Sequence, residues 1–471
     1  MRRTQTLGLL AAFLFLGACA QLPDLGEAPH LRAADAWQAG TSLRGYSQVW
    51  PGGNWWLEYG DRQLDQLIAE ALTDAPSLRA AQARLQKAEA GVASTRSNTG
   101  PQISGNASFN EAKQSYNYLT PKSMAPQGWN DYGRVSLDLS WELDFWGRNR
   151  AALAAATSER EAAAADAAQA RLVLETSIAS AYAELARLFA ARDTAAAAVE
   201  VRSKTSQLFH ERQANGLETL GSVRQAEARQ TAAEADLLAV DEDIALQRNR
   251  IAALMGAGPD RGLGISRPAI SLERAPGLPA ALPAALLGRR PDVVAARLRA
   301  EAAAKRIDVA EAGFYPDVNL SAFIGAQALG IDKLFSSGSD IGSVGPAISL
   351  PIFSSGRLKA QYRSSRADYD EAVANYDSTV TRALQDVADA ATSQRALAER
   401  LSKTGESVEA AREAWQIARN RYDGGLSNYL EVLNAEDSLL SAMRGLSDLQ
   451  SRAFTLDVAL VRALGGGYRA S

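Results

Sequence analysis

Arg148 to Ala214 contains no proline and no glycine. That run limits the possible folds more than any other feature of the chain. As a helix it would be about 100 Å long at 1.5 Å rise per residue, far more than one globular core can cover. Residues 358–422 repeat the feature, interrupted only by Gly405. A glycine-marked turn follows each run, and then the pattern of a return helix, over about 217–255 and 426–464. Helices of such length predict coiled-coil packing. Alanine-rich faces at 151–156 and 162–168 allow close approach of neighbouring helices. Leu172, Ile178, Leu185, Leu188 and Phe189 are spaced as a buried stripe.

The recurrence extends to the whole chain. Pro76 aligns with Pro291, and Gly100-Pro101 with Tyr315-Pro316, at an offset of 215 residues. Gly147-Arg148 aligns with Gly356-Arg357, Gly216-Leu217 with Gly425-Leu426, and Ala226-Glu227 with Ala435-Glu436, at an offset of 209. One register over so many landmarks marks an internal duplication. The drop of six places an insertion between the two candidate strands of each half, where a loop absorbs it. Each half reads as a helix (about 77–97 and 292–312), a break at Pro101 or Pro316, two short strands, a long helix and its return.

The strands carry the relation to a membrane. Val135, Leu137, Leu139 and Trp141 alternate with Ser136, Asp138, Ser140 and Glu142, the period of a strand with one apolar face. Its length suits a transmembrane β-strand. Val318, Leu320, Ala322 and Ile324 alternate with Asn319, Ser321, Phe323 and Gly325. Ile348, Leu350 and Ile352 alternate more weakly, and 103–109 most weakly. Strands are predicted at about 102–110, 132–142, 317–326 and 343–353. A small amphipathic sheet on a soluble domain would show the same alternation. Four strands cannot close a barrel, and open edges cannot face lipid. Spanning strands therefore require several chains; three would give twelve strands, and two or four are arithmetically possible.

Arg2 and Arg3 precede an apolar run at 7–16, too short to cross a bilayer as a helix, and Leu16-Gly17-Ala18-Cys19 follows. Residues 1–18 read as a signal peptide, and Cys19 resembles the lipidated cysteine of a bacterial lipobox. Ala20, rather than Asp, is similar to lipoproteins sent to the outer membrane. An ordinary secretory signal with an incidental cysteine is the alternative. No later stretch reaches 18 consecutive apolar residues, so any spanning of the membrane falls to β-strands.

One cysteine and two histidines, His30 and His210, leave little material for metal sites, thiol nucleophiles or Ser-His triads. The chain is not expected to be an enzyme, nor to carry a metal or a cofactor beyond a covalent lipid on Cys19. A net charge of −4 gives no support for a nucleic-acid partner.

These features together resemble the outer membrane factor family, the TolC-like ducts, and its lipidated OprM- and NodT-type branch. The resemblance rests on Cys19, on Trp55-Trp56-Leu57-Glu58-Tyr59-Gly60-Asp61 with Leu67-Ile68-Ala69-Glu70-Ala71-Leu72, and on Arg289-Arg290-Pro291-Asp292-Val293. It rests also on the junctions Trp141 to Arg148 and Leu350 to Arg357, and on Gly424-Gly425 followed by 429–436. It covers essentially the whole mature chain.

The resemblance implies a mainly α chain with four β-strands, internally duplicated. It implies a homotrimer whose twelve-stranded outer-membrane β-barrel continues as a twelve-helix periplasmic α-barrel. The expected layout is a lipidated N-terminal and equatorial segment (19–75), a first repeat (76–256, hairpin 148–255), an equatorial linker (257–290), a second repeat (291–464, hairpin 357–464) and a tail (465–471). The implied function is the exit duct of a tripartite efflux system for drugs or other small molecules. Its partners would be a periplasmic adaptor, an inner-membrane pump of the resistance-nodulation-division type, and outer-membrane lipid. A type I protein-secretion channel and a non-pore periplasmic lipoprotein are the competing readings.

A duct needs a gate and a docking surface, and both belong at the hairpin tips. Gly216, Leu217, Gly424, Gly425 and Leu426 are the expected adaptor-docking tips. Glu431 takes the first acidic place of the family's constriction; Asn434 stands where an Asp is common, and Ser222 holds the comparable place in the first half. A symmetric set of Glu431 carboxylates would focus negative potential and favour cations. Arg419, Arg421, Tyr422 and Asp423 lie beside the turn as candidates for holding the tip closed. Solvated surface roles are the bland alternative for all of them.

Overall fold

The structure, a computed structural model, describes residues 22–33, 36–37, 50–117, 120–270, 288–354 and 356–469. Cys19 and the signal peptide lie outside the described residues.

The duplication is visible in element lengths. Helix α2 (Pro76–Ser97) and helix α6 (Pro291–Ala312) each have 22 residues and each begin on proline, whose missing N–H costs nothing in a first turn. Helix α3 (Arg148–Ala214) and helix α7 (Arg357–Asp423) each have 67 residues. Their return helices, α4 (Leu220–Leu254) and α8 (Tyr429–Ala463), each have 35. Both returns begin three residues later than the glycine turns had indicated, because Thr219 and Asn428 cap them.

The chain divides into two compact units. Among the described residues, the first comprises 22–31, 85–163 and 296–376 and holds the sheet. Strands β1 (Gln102–Ala112), β2 (Asn130–Glu142), β3 (Asp317–Leu329) and β4 (Asp340–Ser349) pair antiparallel in that order. The fourth strand departs from expectation: it begins at Asp340 and stops at Ser349, opposite Asp317, so Leu350 and Ile352 are not strand residues. Pro351 explains the stop, since it has no N–H for the ladder and restricts the residue before it. Pro346 is tolerated because β4 is an edge strand of this sheet.

Register settles the two faces. Ile103, Leu139, Ala322 and Val344 form one cross-strand row, and Gly105, Leu137, Ile324 and Gly342 the next. The large members of these rows are bare in the single chain, with Leu137 at 56%, Ile324 at 69% and Val344 at 77% exposure. On the opposite face Asp138 accepts from Asn106 Nδ2 at 2.8 Å and from Ser136 Oγ at 2.7 Å. Ser140 pairs with Asn319 there, and the Arg134 guanidinium lies 5.0 Å from the Phe323 ring. At the helix end of the sheet, Arg148 bonds Glu142 at 2.7 Å and Asp317 at 3.1 Å, tying α3 to two strands. Trp146 stacks on Tyr315 and donates to the Pro316 carbonyl at 2.8 Å. Among the described residues no helix is long and apolar enough to cross a membrane.

The second unit comprises residues 32–84, 164–295 and 377–471. Its core joins Trp55, Trp56 and helix α1 (Arg62–Asp74) to Ile178, Tyr182 and Leu185 of α3, Ile251 of α4, and Phe454 and Val458 of α8. Asp61 organises this core: it caps α1 at the Gln63 and Leu64 amides and accepts from the Tyr182 phenol at 2.8 Å and the Ala269 amide at 2.8 Å. Arg290, nearly buried, is held by Asp292 at 2.7 Å and Asp386 at 2.9 Å. Within the stretch expected as the equatorial linker, 257–270 contains a short helix (Pro259–Leu263) and the fully buried Ile265.

Candidate functional site

The two hairpin turns are built alike, and the backbone dictates how. Gly216 (φ +73) and Gly425 (φ +70) lie in the left-handed region, where a side chain is strained. At the first turn Leu217 N donates to Arg212 O at 2.8 Å and Gly216 N to Gln213 O at 2.9 Å. At the second, Leu426 N donates to Arg421 O at 2.7 Å and Gly425 N to Tyr422 O at 2.9 Å. Both are Schellman closures, which satisfy the last carbonyls of α3 and α7. Gly424 is not in the left-handed region; its backbone continues the end of α7. Leu217 and Leu426, one residue beyond each glycine, are 67% and 75% exposed.

The return helices restart with equal economy. Thr219 Oγ1 accepts from Ser222 N at 3.1 Å, and Asn428 Oδ1 from Glu431 N at 3.2 Å. Ser222 and Glu431 thus hold the same place in the two repeats, the third residue of the helix. A carboxylate there is favoured by the helix dipole. Glu431 also meets Arg421 at 3.5 Å across the turn, with both side chains about half exposed. Asn434, one turn further on, is exposed.

Behind the turns lies a knot of aromatic and charged groups. Arg212 Nη1 donates to the Tyr422 hydroxyl at 2.8 Å, and its guanidinium sits 5.4 Å from the Tyr422 ring. Tyr429 is edge-on to both Tyr422 and Phe209, each at 5.0 Å, and its hydroxyl contacts Thr205. Arg419 covers the Trp415 ring at 5.7 Å, and Asp423 is exposed on the last turn of α7. A cavity of about 240 Å³ opens here, lined by Trp415, Tyr422, Asp423, Tyr429 and Glu436 among others. Of the expected tip residues, Arg419, Tyr422 and Asp423 line this one cavity and Arg421 meets Glu431, while Ser222 bonds to its own cap residue Thr219, and Asn434, Leu217 and Leu426 are exposed. The partners from α3, namely Thr205, Phe209 and Arg212, were not singled out from the sequence. Their only signal is a cation one turn, and an aromatic two turns, before a tip glycine.

Glu436 entered the sequence reading only as a landmark of the repeat, not as a site residue. It is 4% exposed, and neither carboxylate oxygen has a hydrogen-bond partner. The nearest cation is Arg202, whose Nε is 3.8 Å away; Arg202 also pairs with Asp437. Burial pushes the Glu436 carboxyl above the ordinary range; Arg202 opposes this and Asp437 adds to it. A raised carboxyl stabilises the fold when protonated. That contribution is full below the unfolded value near 4.5 and is lost as pH climbs through the raised one. Glu436→Gln should therefore remove part of the pH dependence of stability. Its melting temperature should gain on the wild type as pH rises from 4 to 8; a constant gap across that range would disprove the assignment. The equivalent residue of the first repeat, Glu227, behaves in the opposite way. Arg224 at 2.7 Å and His210 at 2.9 Å hold its carboxyl low.

Nothing in this constellation resembles a reaction centre. Among the described residues no group of histidine, cysteine and carboxylate side chains can hold a metal ion.

Comparison with known proteins agrees with this character. The family described as Outer membrane efflux protein matches residues 67–257 and 282–466, one stretch for each repeat. The chain is 38% identical over 372 residues to the fusaric acid resistance protein FusA of Burkholderia cepacia, covering 77% of this chain and 69% of that one. It is 31% identical over 431 residues to the multidrug resistance outer membrane protein MdtP of Escherichia coli (strain K12), covering 90% and 88%. The crystal structure of the outer membrane protein VceC of Vibrio cholerae superposes with a TM-score of 0.84 at 51% identity, over 89% of this chain and all of that one. The outer-membrane channel OprN superposes with a TM-score of 0.84 at 31% identity, over 95% and 99%.

Proposed function

Because the chain belongs to the outer membrane efflux protein family and is an outer-membrane efflux channel rather than an enzyme, we propose that it serves as the passive exit duct of a tripartite drug-efflux system. The carrying observation is the sheet. One face is apolar and bare, the other polar, and both outer strands have an unpaired edge. Only closure with further copies satisfies those edges in lipid. Three copies give a twelve-stranded barrel, and TolC-like channels are trimeric.

A duct supplies a path, not energy, so an inner-membrane pump drives it, here of the resistance-nodulation-division type. A periplasmic adaptor joins the two. The exposed Leu217 and Leu426 beside the paired glycine turns suit the apolar contacts such a partner makes. The names of FusA and MdtP support small organic molecules as cargo.

At the turn, Glu431 carries the gate's charge, with Ser222 and Asn434 as neutral neighbours on their helices. Arg421 and Tyr422 tie the tip, and Arg419 and Asp423 flank it. Cys19 carries the lipid.

The test is the mass of the detergent-purified protein, followed by bilayer conductance of the wild type and Glu431→Gln. A particle of three chain masses that conducts, with cation preference reduced in the variant, is expected. A monomer stable in several mild detergents and silent in bilayers would end the duct reading. A conducting trimer of unchanged selectivity would remove Glu431 from the gate.

A further inference from the structure

The cavity behind the second turn has a wall that neither helix packing nor a passive path requires. Three helices of the second unit build it: Lys204 comes from α3, Trp415 and Arg419 from α7, and Tyr429 and Glu436 from α8. Its volume is about 240 Å³. An engineered apolar cavity of about 150 Å³ already holds benzene. One aromatic ring with a small polar substituent therefore fits, whereas drug-sized ligands occupy pockets of about 300 Å³ or more.

The wall contains polar atoms that the protein leaves unsatisfied. The Trp415 indole N–H is buried and has no acceptor in the protein. Glu436, also buried, makes no hydrogen bond through either oxygen. Such orphaned groups are costly and rare, so two of them on one cavity call for a partner.

Charge decides what kind of partner. The Arg419 guanidinium lies 5.7 Å from the Trp415 ring, and among the described residues no carboxylate pairs with it. Lys204 is a second cation of the wall, bonded to Glu200 at 2.6 Å. Arg202 stands 3.8 Å from Glu436. Asp423, also in the wall, is exposed, where its charge is screened. Burial favours the protonated form of Glu436, which offers an O–H. The cavity thus presents donors and cations around the rings of Trp415 and Tyr429. A ligand suited to it brings a flat apolar body and hydrogen-bond acceptors. An ammonium ligand would need an ionised Glu436 and would meet Arg419, Lys204 and Arg202.

We propose that this cavity binds a small aromatic carboxylate, its ring against Trp415 and Tyr429 and its acceptor atoms received by Arg419, the Trp415 N–H and Glu436. Because α3, α7 and α8 all contribute to the wall, occupancy stabilises their packing by linkage.

The test uses the full-length protein in mild detergent, with sodium benzoate as the probe and benzylammonium chloride as its cationic counterpart. Calorimetric titration should show saturable benzoate binding at one site per chain, and the melting temperature should rise with benzoate concentration. Arg419→Gln alters an exposed side chain and should weaken binding roughly tenfold to a hundredfold, the range for a hydrogen bond to a charged group. Trp415→Phe keeps a ring and removes the N–H, and should weaken binding by a similar factor. Glu436→Gln keeps a donor and should retain the ligand, whereas Glu436→Leu should not. No saturable binding up to concentrations on the order of 10 mM overturns the proposal. Preferred binding of benzylammonium, lost in Glu436→Gln, also overturns it by making the cavity a cation site. Unchanged benzoate affinity in both Arg419→Gln and Trp415→Phe would place the ligand elsewhere. Each result is read whether or not the protein conducts, so the duct reading stands or falls separately.

Discussion

Ile324→Arg should abolish assembly in the outer membrane, while Ser321→Arg on the same strand should be tolerated. Ile324 lies mid-strand in the apolar row with Leu137, and it is 69% exposed in the single chain. Its replacement therefore removes almost no packing within the protomer. What it adds is a charge on the lipid face, which costs about 2–4 kcal/mol at the bilayer midplane for each arginine. Three copies per barrel bring that to roughly 6–12 kcal/mol, comparable with the whole stability of an ordinary domain. Ser321 faces the other way, in register with Ser140 among the polar side chains, where a guanidinium meets water. Outer-membrane fractionation and heat-resistant trimer on gels would read the contrast. Equal loss in both variants would mean that neither face meets lipid, and equal tolerance would mean that the sheet does not enter the membrane.

Tyr422→Phe should loosen the tip and raise channel conductance. The hydroxyl receives Arg212 Nη1 at 2.8 Å and so joins α7 to α3. The Arg212 Nε has no hydrogen bond of its own and only a distant carboxylate, Glu218 at 3.9 Å. A hydrogen bond to a charged group contributes about 1.5–3 kcal/mol, so three symmetry-related losses remove roughly 5–9 kcal/mol from the tethered arrangement. The Tyr422–Tyr429 ring contact survives in the variant, which separates the hydrogen bond from the packing. Bilayer recordings should show more frequent or larger openings, and cells should become sensitive to bulky antibiotics that the closed tip excludes. Wild-type conductance and wild-type exclusion would show that this bond does not hold the gate.

The sequence was most informative where periodicity was long. The absence of breakers over Arg148–Ala214 marked α3 at both ends, and the repeat offset carried the same expectation to α7. The alternation at 134–142 located β2 because lipid and water impose opposite demands on alternate residues. It failed at Leu350 and Ile352, where the pattern runs on but Pro351 and the end of the partner strand stop the ladder. At the tips, the glycines were legible because a backbone conformation demands them. The knot behind them was not. Arg212 and Tyr422 are 210 residues apart, and no local pattern says which faces of two helices will meet. Glu436 was invisible for a related reason: nothing in a string of residues distinguishes a buried carboxylate from a solvated one.

The equal lengths of the paired helices, 67 and 67, 35 and 35, have an evolutionary consequence. Two copies of an ancestral unit have been free to change nearly every side chain, yet their long helices have kept the same residue count. Deleting one residue from α7 alone would turn everything beyond it by about 100° and draw its turn back by about 1.5 Å, with no flexible stretch to absorb the error. The strand connections face no such discipline: 113–129 joins β1 to β2, and the shorter 330–339 joins β3 to β4. Drift in this lineage should therefore read as substitutions along the helices and as length changes only in the strand loops, the helices serving as a ruler that both halves must keep in common.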